Sequence, residues 1–216
     1  MYATLPPAIV AGEMVRLQTR QRVVALTFDG GGNADGAKAV LTILRRQNVP
    51  ATFFLTGQFV RTYPAITRAI GRRYVVGNHT VDHAELVGLS TSAVTHEIAD
   101  AATRIQRATG RDTHPLFRFP YGARDSRTLA ICRRLGYVSV RWTVDTWGWM
   151  GSSLQSPAGA ERRVLDHLVP GEIVLMHLGS ARDGTTIDTQ ALPGVIRAVR
   201  ARGYRFVTLA GVRAPR

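Results

Sequence analysis

Strand-like and helix-like segments alternate along this chain, and the alternation leaves few folds open. Seven short apolar runs read as strands: 22–28 (RVVALTF), 51–55 (ATFFL), 74–77 (YVVG), 116–119 (LFRF), 137–143 (YVSVRWT), 172–177 (EIVLMH) and 205–208 (RFVT). Between most of them lie stretches with helical spacing. In 38–46 the apolar positions are Ala39, Val40, Ile43 and Leu44. In 93–108 they are Val94, Ile98, Ala101, Ala102 and Ile105, and in 191–202 they are Leu192, Val195, Ile196 and Val199. Repeats at three and four residues mark one face of a helix. Gly110, Gly136 and Gly203 follow as turn residues before the next strand. Near-continuous apolar strands joined by helices predict a parallel sheet covered by helices.

Such a sheet either stays open or closes into a barrel, and the polar residues favour closure. Asp29, His79, Arg118, Asp145 and His177 each stand at the carboxyl end of a strand or directly after it. In a barrel those ends converge on one face, where the active sites of such folds lie. The chain therefore reads as a (β/α) barrel of about seven parallel strands. The 216 residues divide into an N-terminal extension over 1–21, packing on the barrel, and a single domain over 22–216.

Composition narrows the setting. No apolar stretch is long enough to span a membrane. The opening MYATLPPAIVAGEMV has neither a basic start nor a long apolar run, so it does not read as a signal peptide. Cys132 is the single cysteine, which excludes an internal disulfide. The net charge of +13 is carried almost wholly by arginine, Lys38 being the only lysine. A charge of that sign favours acidic partners. The arginines come in scattered short groups (RRQ, GRR, CRR, ERR) with no basic arm, which reads as solvated helix faces. Nucleic-acid binding is therefore not expected.

Several stretches carry reactive side chains. TFDGGGNADG, 27–36, places Asp29 at a strand end ahead of three glycines, where it is either a turn residue or a catalytic acid. NHTVDH, 78–83, holds His79 and His83 four residues apart. Imidazole is a common ligand of zinc and similar ions, although two surface histidines would look the same. LFRFPYG, 116–122, buries Arg118 in an apolar strand, where a guanidinium needs an anion. That anion is either a structural partner or a catalytic carboxylate, with Asp29 the natural candidate. His177 closes the apolar run IVLMH, as a core residue or a site residue. WTVDTWGW, 142–149, offers Asp145 and three tryptophans to pack in the core or stack on a sugar ring.

Taken together, these stretches resemble the NodB-like polysaccharide deacetylases, carbohydrate esterase family 4, from about Val23 to Leu209. TFDGG resembles the family's Thr-Phe-Asp-Asp-Gly, HTVDH its His-(Ser/Thr)-x-x-His, RFPYG its Arg-x-Pro-Tyr, WTVDTWGW its Asp-x-x-Asp-Trp and LMH its Leu-x-His, in the family's order. The resemblance implies that the barrel is a deformed (β/α) barrel, and it implies a divalent metal, zinc with cobalt or nickel as alternatives. It also implies removal of acetyl groups from N-acetylglucosamine residues of peptidoglycan or a chitin-type glycan, or from acetylated xylan. By position, Asp29 becomes the general base, held by Arg118. His79 and His83 become metal ligands and His177 the general acid. A backbone N–H near Tyr121 supports the oxyanion, and Leu175 and Trp149 line the acetyl pocket. A polysaccharide partner and an extracellular or cell-wall setting follow from the same resemblance, which is silent on oligomeric state.

The sequence departs from this pattern twice. Gly30 stands where the family has a metal-binding carboxylate, and Gly148 where it has the acid that tunes the catalytic histidine. Two stand-ins are expected: Asp35 as the third metal ligand, unless it only caps the helix starting near Ala37, and Asp145 as the tuning acid. The two losses also leave open a catalytically impaired, glycan-binding member of the fold.

Overall fold

A computed structural model describes residues 13–210. The runs read as strands become β2 (Val23–Gly30), β3 (Thr52–Leu55), β4 (Val75–Asn78), β5 (Leu116–Phe117), β6 (Val138–Val140), β8 (Glu172–His177) and β9 (Arg205–Val207). Two further strands, β1 (Glu13–Met14) and β7 (Val144–Asp145), are two residues each, too short to leave an alternation in the sequence. The described part of the N-terminal extension thus joins the sheet through β1; residues 1–12 of it lie outside the described residues.

The strands run in the order β1-β6-β5-β4-β3-β2-β8-β7, with β9 beside the lower half of β2, and each pairing is parallel. The sheet curls until Thr143, just before β7, hydrogen-bonds through its hydroxyl to the Val15 carbonyl, just after β1. No strand ladder joins those two edges among the described residues, so the barrel is deformed and incompletely closed.

Helices cover the outside: α1 (Ala37–Arg46), α2 (Gly57–Thr62), α3 (Pro64–Arg73), α4 (Thr91–Thr109), α5 (Ser126–Arg134), α6 (Pro157–Asp166) and α7 (Ile187–Ala201). Their starts are fixed locally. Thr56, Ser90 and Ser156 each accept a hydrogen bond from the backbone N–H three residues on, and Asp125 with Thr128 forms a reciprocal capping box. Gly110, Gly136 and Gly203 adopt φ of 69°, 80° and 76°, a region glycine enters without penalty. Among the described residues no helix is long and apolar enough to cross a membrane.

The pleat of β2 sorts its residues. Val24, Leu26 and Phe28 point outward into the layer under the helices, where Phe28 stacks on Phe53 at 5.3 Å between ring centroids. Val23 and Ala25 point inward, packing with Phe54, Leu116, Val138 and Val207. Period-two alternation then sends Thr27 and Asp29 to the inside as well. Asp29 is the last inward residue of the strand, so it sits at the mouth of the barrel.

Candidate active site

The mouth of the barrel opens into a cleft of about 510 Å³. Asp29, His79, His83, Tyr121, Trp149, Leu175 and His177 all line it, as expected from the sequence. Arg118 lies just beneath, fully buried. One guanidinium nitrogen donates to Asp29 Oδ1 at 2.7 Å and the other to the Thr27 hydroxyl at 2.9 Å. The Phe54 ring covers the guanidinium at 4.1 Å. Burial alone would raise the Asp29 carboxyl, but Arg118, with smaller contributions from His79 and His177, outweighs it and holds the group below its ordinary value.

His79 and His83 are fixed by an unusual turn. Asn78 accepts from the Thr80 N–H through its side chain, and the Thr80 hydroxyl accepts from the His83 N–H. Thr80 and His83 both take left-handed φ, 70° and 69°. Neither is a glycine, so the turn stores backbone strain beside the cleft. His79 Nδ1 lies 2.8 Å from the Arg118 carbonyl and donates to it, which leaves Nε2 as the lone-pair nitrogen. That Nε2 is buried, makes no hydrogen bond and sits 3.4 Å from Asp29 Oδ2. Burial, with His79 nearby, pushes His83 down to about 4, so both imidazoles are neutral near pH 7. The rings of His83 and Tyr121 meet edge-on at 4.6 Å.

Neutral histidines with a free lone pair suit a divalent cation. A complete protein-supplied set is not present: among the described residues no three His, Cys, Asp or Glu side chains are grouped to hold one. Asp35 is exposed, does not line the cleft, and accepts a hydrogen bond from the Ser180 hydroxyl at 2.6 Å. Nor does it cap α1, whose first cap position is Gly36. The neighbouring Asn33 instead ties the glycine loop across the cleft. Its side-chain oxygen accepts from the Ser180 N–H, and its amide donates to the Ser180 carbonyl.

On the other side of the cleft, His177 is paired in register with Asp29 across β2 and β8. The carboxylate that holds it is Asp188, in the first turn of α7, and not Asp145. Asp188 Oδ2 accepts from the His177 N–H at 2.8 Å and lies 3.3 Å from Nδ1, while Oδ1 accepts from the Thr146 hydroxyl. Burial alone would lower His177, but Asp188, with smaller contributions from Asp29 and Asp145, outweighs it and raises the group above its ordinary value of 6.5. Asp145 lines the cleft with its carboxylate committed elsewhere, to the Trp147 N–H at 2.8 Å and Trp149 Nε1 at 3.1 Å. Asp188 had one signal in the sequence. It stands on the apolar stripe Ile187, Ala191, Leu192, Val195, where an acid needs a partner.

A family model described as Polysaccharide deacetylase matches residues 16–140. The chain is 32% identical to a chitooligosaccharide deacetylase of Azorhizobium caulinodans over 93% of this chain and 99% of that one. Among solved structures it is similar to the Bc1960 peptidoglycan N-acetylglucosamine deacetylase, with TM-score 0.82 and 29% identity over 91% of each chain. It is also similar to BA3943, a CE4 family pseudoenzyme from Bacillus anthracis, with TM-score 0.82 and 26% identity over 98% of this chain and 71% of that one.

Proposed function

Because this chain belongs to the polysaccharide deacetylase family, we propose that it is a hydrolase acting on the N-acetyl groups of a wall or chitin-type glycan. N-Acetylglucosamine residues are its substrate units, and its setting is the cell wall or the extracellular space. One observation carries the reading. Asp29 and His177 stand side by side in register on two paired strands, and each has its own buried counter-charge of opposite sign. Arg118 lowers the carboxyl below its ordinary value and Asp188 raises the histidine above its own. Two groups driven apart in this way supply a base and an acid at the same pH.

In the reaction Asp29 accepts the proton of the attacking water. His177 has Nδ1 turned to Asp188, so Nε2 delivers the proton to the leaving amine. Asp188 acts through His177, fixing its orientation and its charge. The backbone N–H at Tyr121, whose φ of 57° is left-handed, supports the oxyanion. Leu175 and Trp149 enclose the acetyl methyl. His79 and His83 hold a divalent metal, zinc with cobalt or nickel as alternatives. When bound, that metal supplies Lewis-acid polarisation of the acetyl carbonyl. Acetate release from N-acetylglucosamine oligomers or peptidoglycan, lost in Asp29→Asn and with chelator, is the test.

The missing third metal ligand and the likeness to a pseudoenzyme favour one competing reading, a glycan-binding member without turnover. Glycan binding that is indifferent to chelator, with no acetate released, selects that reading.

A further inference from the structure

The arginines are scattered in the sequence, and the topology gathers them. All the strands are parallel, so they start at one end of the barrel and the helices that return the chain finish there. α1 ends in Arg45 and Arg46, α3 in Arg72 and Arg73, and α5 in Arg133 and Arg134. All six are exposed. Side-chain hydrogen bonds link neighbouring segments at this end. Arg73 donates to the Asn48 side chain, Arg111 to the Gly71 carbonyl, Arg200 to the Gln47 carbonyl and Arg205 to the Gln21 side chain.

This charge is not neutralised. Among the described residues the arginines that meet a carboxylate are Arg118 and Arg124, neither of them at this end. The exposed carboxylates here are Asp112, bonded to His114, and Asp166 at the end of α6. Cations at helix C-termini complement the helix dipole. That accounts for one basic residue per helix, not for pairs, nor for Arg111 and Arg205, which lie outside the helices. None of the exposed large hydrophobic side chains, Val15, Tyr121, Trp147, Trp149 and Leu154, belongs to these helix ends or turns.

We propose that this end of the barrel docks on an anionic lipid bilayer by electrostatics alone, leaving the cleft at the opposite end open to glycan. The charges come from elements distributed around the barrel and form a disc. A disc matches a planar surface, whereas a chain-like polyanion is tracked by a groove. Among the described residues this end has no apolar anchor, so the docked face rests on the headgroups without inserting. The docking is independent of the reaction proposed above, and its test reads binding only.

The experiment is co-sedimentation with vesicles of phosphatidylcholine, with and without phosphatidylglycerol. Binding is expected only with the anionic lipid, and it falls steeply as added salt shortens the screening length. Arg45→Gln/Arg72→Gln/Arg133→Gln lowers it by at least about tenfold, given that each basic residue near such a surface adds measurably to affinity. Lys38→Gln/Arg61→Gln/Arg182→Gln removes the same charge from the catalytic half and leaves binding near wild type. Arg46→Gln/Arg134→Gln repeats the test should the first triple variant lose its fold. Equal losses in the two triple variants, or no binding to anionic vesicles, overturn the proposal. So does capture of soluble polyphosphate through the same arginines without vesicle binding, which assigns the face to a polyanion.

Discussion

Gly148 and Gly30 are the two positions at which the family resemblance implies a supporting carboxylate, but their surroundings differ. A side chain at Gly148 would collide with the Asp188 carboxylate. The space is filled with the same chemistry, delivered from α7 instead of from the loop after β7. A Cβ at Gly30 would lie 2.8 Å from Leu55 Cδ2 and 3.3 Å from Leu178 Cδ1. That space is apolar, and among the described residues no third His, Cys, Asp or Glu joins His79 and His83 in a metal-binding group. The His177 side of the cleft thus has its carboxylate from α7, while the His79–His83 side has no equivalent. A Cβ at Gly31, by contrast, would sit 3.5 Å from His83 Cδ2 with nothing closer.

The sharpest way to break this comparison is to fill Gly148. Gly148→Asp alone forces two carboxylates into one buried space, and unfolding experiments should show a loss of roughly 3 kcal/mol or more, with activity abolished. Gly148→Asp combined with Asp188→Gly returns the charge to the loop and should recover part of both. If the pair is no better than the single variant, the exchange idea is wrong.

Asp188→Asn comes next. Acetate release should drop on the order of a hundredfold, the scale of impaired general-acid catalysis. The readout that separates tuning from mere structure is the pH profile. Asp188 raises His177, so the wild type stays active until pH climbs through that raised value, and the variant should lose its alkaline limb at lower pH. Stability follows the same sign. The His177–Asp188 contribution is complete below the ordinary histidine value of 6.5 and disappears as pH rises through the folded-state value. An unshifted alkaline limb removes Asp188 from the role.

On the metal side, Gly31→Asp and Gly30→Asp should behave oppositely. Calorimetric zinc affinity should rise on the order of tenfold for Gly31→Asp, where a third ligand reaches the histidines. Gly30→Asp should gain no affinity and should destabilise by about 2 kcal/mol or more, because it buries a carboxylate against Leu55, Phe59 and Leu178. Equal gains at both positions would show that the loop rearranges freely. The smallest effect is expected at Trp149, 53% exposed and held by Asp145. Trp149→Ala should raise KM by roughly three- to tenfold with kcat little changed, as for lost uniform binding.

Local pattern carried most of the fold and half of the site. The strand at 172–177 and the turn glycines were legible because period and punctuation are properties of neighbouring residues. His79, Arg118 and His177 were legible because each is an odd residue type at a strand end, and His83 because it follows His79 by four residues. Asp188 was not singled out, because its partner is set by how α7 packs on β8, not by spacing along a motif. Asp35 and Asp145 looked suitable by proximity in sequence, yet Ser180 and the two tryptophans had already engaged them. The arginine pairs read as scattered for the same reason: only the parallel topology brings helix ends far apart in sequence to one end of the barrel.

The most direct test of the central claim is acetate release from N-acetylglucosamine oligomers by the wild type beside Asp29→Asn and His177→Ala. The account predicts chelator-sensitive release by the wild type and a loss of about a thousandfold in each variant, with oligomer binding retained. A wild-type protein that binds the oligomers and releases no acetate, with metal supplied, would contradict it.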